Sequence, residues 1–204
     1  MACSPAWPRQ RTCGARFRID ARFVVLAAGC MATPVLLQRS GGMADDSGQV
    51  GRNLQFHPGA AVGGLYPEPV DPIFGGTQSY QSLQFLREGF KLETMWSSPA
   101  ALAVRTPGLG ADLVRRLADL DRTVIWDGIA STHRSVGSVR ARFDSMDPVI
   151  RWRLHPEDVQ ILVRAIHELV RIHFAAGAEK VLPGVHGLPE EMHSLAEADV
   201  LAYM

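Results

Sequence analysis

Alternation opens the readable part of the chain. Phe17-Arg-Ile-Asp-Ala-Arg-Phe steps between apolar and polar positions, and Phe23-Val-Val-Leu-Ala-Ala then runs continuously apolar and rich in β-branched residues. Such a run predicts a strand covered on both faces, as in a parallel sheet, and it breaks at Gly29. Thr33-Pro34 supplies a hydroxyl N-cap and a proline for the first helical position. With the apolar Val35, Leu36 and Leu37 and the stop Ser40-Gly41-Gly42, they predict a short helix. A polar loop over 44–49 and the compact segment Val50-Gly-Arg-Asn-Leu-Gln-Phe-His-Pro follow. The Gly- and Pro-dense stretch over 59–76 favours strand pieces and turns over helix.

Later elements are clearer. Gln81 to Glu93 is amphipathic without a decisive period, but Leu109, Leu113, Leu117 and Leu120 recur at helical spacing and predict a helix of about three turns from Leu109 to Asp121. Val124 to Ala130, Ser138 to Phe143 and Val149 to Leu154 read as strands, the last two with the alternation of a half-exposed antiparallel sheet. Pro156-Glu157-Asp158 puts proline and two acids into a first turn. Val159, Leu162, Val163, Ile166, Leu169, Val170 and Phe174 continue it as one apolar stripe, and Gly177 ends the helix. His167 and His173 are read as residues of that helix's surface. Lys180-Val-Leu-Pro suggests a short strand, and the tail from Leu188 is acidic and helical near its end. Residues 1–16, rich in Pro, Arg, Ser and Cys without a period, read as a disordered leader, and the fold class is α+β.

Composition removes several function classes. With 204 residues, 47% hydrophobic and 21% charged, the chain suits a globular body and excludes collagen-like, low-complexity or wholly disordered readings. Its 21 basic and 21 acidic side chains cancel. Net charge therefore gives no footprint for nucleic acid or an anionic membrane, and either would need a local patch. Cys3, Cys13 and Cys30 form no Cys-x-x-Cys pair, which favours a reducing compartment, and the expected location is cytoplasmic. The longest apolar run, 23–29, falls short of the roughly 20 residues that a membrane span requires.

Chemistry-bearing motifs are sparse. His167 and His173 lie six apart, with no His-Glu-x-x-His, so no metal site is expected. Gly108-Leu-Gly-Ala-Asp-Leu lacks the last glycine of a dinucleotide loop and follows no strand. Arg39-Ser40-Gly41 lacks the upstream glycine of a nucleophile elbow, which leaves Ser40 as a poor hydrolase candidate. An interaction module stays open as a further class.

What remains is a pair of segments in order: Val24-Val-Leu-Ala-Ala-Gly-Cys-Met-Ala-Thr-Pro-Val-Leu-Leu-Gln-Arg-Ser-Gly and, after a short loop, Val50-Gly-Arg-Asn-Leu-Gln-Phe-His-Pro. Together they resemble the glucose-methanol-choline (GMC) family of flavin oxidoreductases. Gly137-Ser-Val139, Asp147-Pro148, Ile150, Leu154 and Asp158 echo that family's downstream run. The resemblance implies FAD as cofactor and a CH–OH group of a small-molecule alcohol as substrate, with hydride passing to flavin N5. It implies partial Rossmann-like elements over 17–58, packed with an antiparallel-sheet substrate domain backed by helices over 59–204. By resemblance Ala28 and Gly29 lie beside the adenosine half of FAD, and Asn53 and His57 near the flavin. Read from the residues alone, Ala28-Gly29 is equally a tight strand-to-helix turn, and Asn53 and His57 equally organise their loop. Phe56 stands where the family often has an acid, and Cys30 reads as a small packed residue. The family's phosphate-binding loop is expected before this stretch and its catalytic histidine after it, so no catalytic residue is assigned. Trp96, Phe85, Leu83, Met95 and Trp126 are candidate walls of an apolar cavity for a hydrophobic alcohol. The alternative is a non-catalytic, truncated remnant that does not bind FAD by itself.

Overall fold

The computed structural model describes residues 18–70, 77–106, 108–142, 144–145 and 147–199. Five helices (α1 Gly29–Arg39, α2 Pro99–Arg105, α3 Ala111–Ala118, α4 Pro156–Ala175, α5 Leu195–Ala198) accompany eight strands among these residues. The strands are β1 Arg52–Leu54, β2 Gly59–Leu65, β3 Gln81–Ser82, β4 Phe90–Met95, β5 Thr123–Ala130, β6 Gly137–Arg140, β7 Val149–Arg151 and β8 Lys180–Leu182. They form a five-stranded sheet ordered β3-β4-β5-β2-β8 and a three-stranded one ordered β1-β6-β7. All pairings are antiparallel, so the architecture is α+β.

Strand β2, Gly-Ala-Ala-Val-Gly-Gly-Leu, has poor intrinsic β-propensity. Pairing overrides it: every residue of β2 is in register with β5, and Gly63 to Leu65 also pair with β8. Alternation along the sheet then separates two faces. One carries Val62, Phe90 and Leu92, fully buried against Ala165, Ile166, Leu169 and Val170 of α4. Fully burying a side chain such as Leu92 or Leu169 is worth roughly 1.5–3 kcal/mol. The seat is close, because a Cβ at Gly64 would overlap the imidazole of His173, and one at Gly128 would stand 2.7 Å from the Ala165 Cβ.

That notch explains why His173, expected on the helix surface, is only 1% exposed. Its Nε2 lies 3.2 Å from the Val62 carbonyl and must donate to it, so Nδ1 accepts from the Tyr66 hydroxyl at 3.1 Å. Burial pushes the imidazole below its ordinary value, offset only in part by the bond to Val62.

The first segments depart from expectation. Residues 23–28 form no regular strand, and Phe23, Val24 and Val25 are 81%, 78% and 86% exposed. A parallel strand takes hydrogen bonds from neighbours on both edges, and no described strand pairs with this run. Helix α1 begins at Gly29, ahead of the predicted Thr33-Pro34 start, and Pro34 lies inside it. Instead of capping from outside, the Thr33 hydroxyl turns back to accept from the Ala28 amide at 3.2 Å. The Ser40-Gly41-Gly42 stop holds, with Gly42 N–H donating to the Leu37 carbonyl at 3.2 Å. Cys30 is exposed, not packed. The predicted Leu109–Asp121 helix is shorter, with α3 followed by a 3₁₀ turn, Leu120–Arg122. The predicted leader, 1–16, lies outside the described residues.

Val35 of α1, Leu54 and Val139 form a second, smaller core, joined by Phe56 and Ala141. Asp158, in the first turn of α4 and 1% exposed, fastens the 133–135 turn. Its carboxylate accepts from the amides of His133 (3.2 Å), Arg134 (3.1 Å) and Ser135 (2.7 Å) and from the Ser135 hydroxyl. Burial alone would raise its carboxyl, but the Ser135 hydroxyl and the three amides together hold it below the usual carboxylate range.

Asp158→Asn, which keeps the shape but halves the acceptors, is expected to cost roughly 3 kcal/mol in urea unfolding at neutral pH. The carboxylate's contribution is present above its unfolded value near 3.9 and is lost as pH falls through the lower folded value. The acid limb of the melting profile should therefore flatten in the variant. A neutral-pH stability unchanged from wild type would contradict this role.

Candidate functional site

The face of the five-stranded sheet away from α4 is floored by Gly59, Ala61 and Gly63 of β2, beside Met95, Ile125 and Leu182. Leu102 and Thr106 from the α2 end, Arg116 of α3 and the 184–190 segment rise around it, enclosing a cleft of about 820 Å³. Three successive inward positions of β2 therefore offer almost bare backbone. That lets a flat or chain-like ligand approach the sheet, as side chains of ordinary size would not. An ion pair between Arg116 and Glu190 ties α3 to the loop at the rim.

Beyond Ile125 the same face turns acidic. Glu93 of β4 stands directly across from Asp127 of β5, whose other neighbour is Ala61. Glu93 is 7% exposed and answered by the Lys91 ammonium and by Gln78 Nε2 at 2.9 Å. Asp127 is less well supported: its own backbone amide and the Lys91 charge favour its carboxylate only in part, and its Oδ1 is buried with no hydrogen-bond partner among the described residues. Burial, and after it the negative charge of Glu93, pushes the Asp127 carboxyl up.

Of the expected cavity walls, only Met95 lines the cleft. Phe85 stacks on Phe90 at 4.8 Å and, like Trp126, packs against the α4 core, while Leu83 is half exposed. The reason is parity: Trp126 pairs with Val62 and so faces the helix, whereas Ile125 faces the cleft.

The residues singled out for the cofactor lie in and around the other sheet and its helix α1. Ala28 and Gly29 form the exposed start of α1, with Gly29 at φ +78° and nothing within 4 Å of where its Cβ would stand. Asn53 sits in β1 at φ +57°, exposed, its Nδ2 donating to Gln49 Oε1 at 2.8 Å. His57 is exposed between half-buried Phe56 and Pro58. Gln38 binds the two segments into one unit. Its Nε2 donates to the carbonyls of Val50 (3.3 Å) and Val139 (3.1 Å), and its Oε1 accepts from Ala141 N–H at 2.7 Å. Gly51 passes so close to the Val139 carbonyl, at φ +78°, that no side chain fits there. As a place for FAD this is an open edge, with room at Gly29 and polar groups at Asn53 and His57. The described residues add no opposite wall.

Comparison with known proteins places the chain. The GMC oxidoreductase family model matches residues 6–59. An uncharacterised GMC-type oxidoreductase of Mycobacterium tuberculosis is 34% identical over 194 residues, 94% of this chain and 30% of that protein. Over most of its length the chain is similar to GMC oxidoreductases. Other GMC relatives include a long-chain-alcohol oxidase of Arabidopsis thaliana (30% identity, 82% of this chain, 22% of its own length). The C-glycoside 3-oxidase of Arthrobacter globiformis shares 32% identity over 83% of this chain and 34% of its own. The chain thus spans about a third or less of these curated relatives. No helix among the described residues is long and apolar enough to cross a membrane.

Sequence reasoning missed the Glu93–Asp127 pair, because only strand register brings residues 34 positions apart face to face. Since the Asp127 carboxyl is raised, ionisation penalises the fold above the folded value, and the penalty vanishes below the unfolded one. Asp127→Asn is expected to raise neutral-pH stability by up to about 1 kcal/mol after solvent screening, with no gain near pH 3. Chemical denaturation at both pH values checks it; a neutral-pH loss would contradict the assignment.

Proposed function

We propose that this chain forms the substrate-binding face and one edge of the flavin site of an FAD-dependent alcohol oxidoreductase. The observation that carries the reading is the bare-backbone cleft, whose apolar surround of Met95, Leu102, Ile125 and Leu182 suits the hydrocarbon part of an alcohol. The relative named a long-chain-alcohol oxidase agrees with an apolar substrate. In this reading residues 17–58 belong to the flavin-binding part and 59–204 to the substrate-binding part, with β6 and β7 of the latter completing the sheet of β1.

Ala28 and Gly29 keep side chains out of the way of the cofactor's adenosine half, while Asn53 and His57 present polar groups toward the ring system. When bound, FAD supplies the two-electron acceptance that alcohol oxidation requires. The chain's own residues position the alcohol and keep water from its apolar part. A second reading, that the chain taken alone neither holds FAD nor turns over, is favoured by the exposed apolar run Phe23 to Leu26.

Two arms test this. Ala61→Trp, which fills the cleft floor, should weaken binding of a long-chain primary alcohol by the purified chain at least tenfold, measured by displacement of an apolar fluorescent probe. Unchanged affinity would refute the cleft assignment. In a full-length GMC polypeptide carrying this segment, Gly29→Val should lower flavin occupancy, read from visible absorbance per mole of protein. Full occupancy would refute the edge assignment.

A further inference from the structure

We propose that the outer face of the three-stranded sheet docks on an anionic lipid surface. The argument is independent of the flavin reading. Register puts Arg52 of β1 and Arg151 of β7 on either side of Ser138, all on one face, and alternation adds Arg140 of β6 to that face. Val139, pointing the other way, is buried against α1, so the arginine face is the outer one. Arg153 continues the row in the extended segment after β7. All four arginines are exposed.

Their clustering sets them apart. Many other basic side chains are matched: Arg116 by Glu190, Arg122 by Asp119, Arg142 by Asp144, Arg164 by Glu88, Arg171 by Glu168 and Lys180 by Glu191. Arg22, Arg39 and Arg87, which lack a carboxylate partner among the described residues, stand singly on other segments. Arg52, Arg140, Arg151 and Arg153 have no carboxylate partner among the described residues. In a chain of zero net charge this is the local patch that composition alone conceals.

One exposed aliphatic side chain adjoins it: Val136 (47% exposed) borders a shallow depression with Arg151 and Arg153, whereas Ile150, paired with Val139, belongs to the other face. A flat basic face edged by an aliphatic side chain fits a bilayer interface, where anionic headgroups attract the guanidinium groups. Nucleic acid fits less well. Trp152, the aromatic at hand, is half-buried, its Nε1 donating to the Ser135 carbonyl at 3.2 Å and its ring 5.3 Å edge-on from Phe56, so it offers no stacking platform. Nor does a short flat sheet face provide an element to enter a duplex groove.

Flotation of the 204-residue chain with vesicles tests the proposal. It should bind phosphatidylcholine vesicles containing one-third phosphatidylserine, release at high salt, and ignore pure phosphatidylcholine. Each Arg→Gln change on the face should lower the partition about fivefold, since each basic residue near an anionic surface contributes about that factor. R140Q/R151Q is the primary variant and R151Q/R153Q the second should the first not fold, as judged by far-UV circular dichroism. R164Q/R171Q, which changes net charge equally but lies on α4, should bind like wild type. Equal binding to neutral vesicles, an equal loss in the α4 variant, or retention of heparin or duplex DNA without vesicle binding would each overturn it.

Discussion

The close seat of α4 on the five-stranded sheet is the contact on which the other features depend. It exists because β2 and β5 carry glycines, Gly64 and Gly128, where side chains of ordinary size would hold the helix away. The helix then brings His173 into the gap, and the buried ring finds both its partners at once in Tyr66 and the Val62 carbonyl. With one face sealed this way, the sheet has its core, and the opposite face is free to be something other than a packing surface.

That freedom is used twice along the same strands. Near Gly59, Ala61 and Gly63 the face is nearly bare and makes a cleft; one step across, at Glu93 and Asp127, it is acidic and partly shielded from water. Glu93 is supported by Lys91 and Gln78, whereas Asp127 is left with an unanswered oxygen, a local cost of the kind that tertiary structure tolerates beside functional surfaces. The smaller sheet has a different economy. Gln38 and Gly51 fasten α1 to β6 through backbone contacts, which fixes the Asn53 region relative to the start of α1.

Much of this was legible in residue patterns. The α4 stripe, the β5, β6 and β7 strands and the Gly41-Gly42 stop follow from periodicity and cap chemistry, which act over a few residues. Ser98-Pro99 at the start of α2 carries the same kind of signal. The run 23–28 misled because its composition describes a strand's needs, two covered faces and two paired edges, and the described residues meet neither. His173 misled for the converse reason, since the gap that receives it belongs to Gly64, over a hundred positions away. The family was readable from two short segments, while the cleft was not, because its floor is made of glycine and alanine and carries no motif. Of the aromatics that looked like cavity walls, Trp126 faces α4 by strand parity, and Phe85, outside the strands, packs against the same core.

In the proposed reading the cleft side of the sheet, not the α4 side, receives the apolar part of a ligand. Amide and methyl NMR of the isolated chain during titration with a long-chain primary alcohol tests it most directly. Saturable shifts are expected at Gly59, Ala61, Gly63, Met95, Ile125 and Leu182, with Val62, Leu92 and Leu169 unmoved. Shifts centred on the α4 core, or none up to the solubility limit of the alcohol, would contradict it.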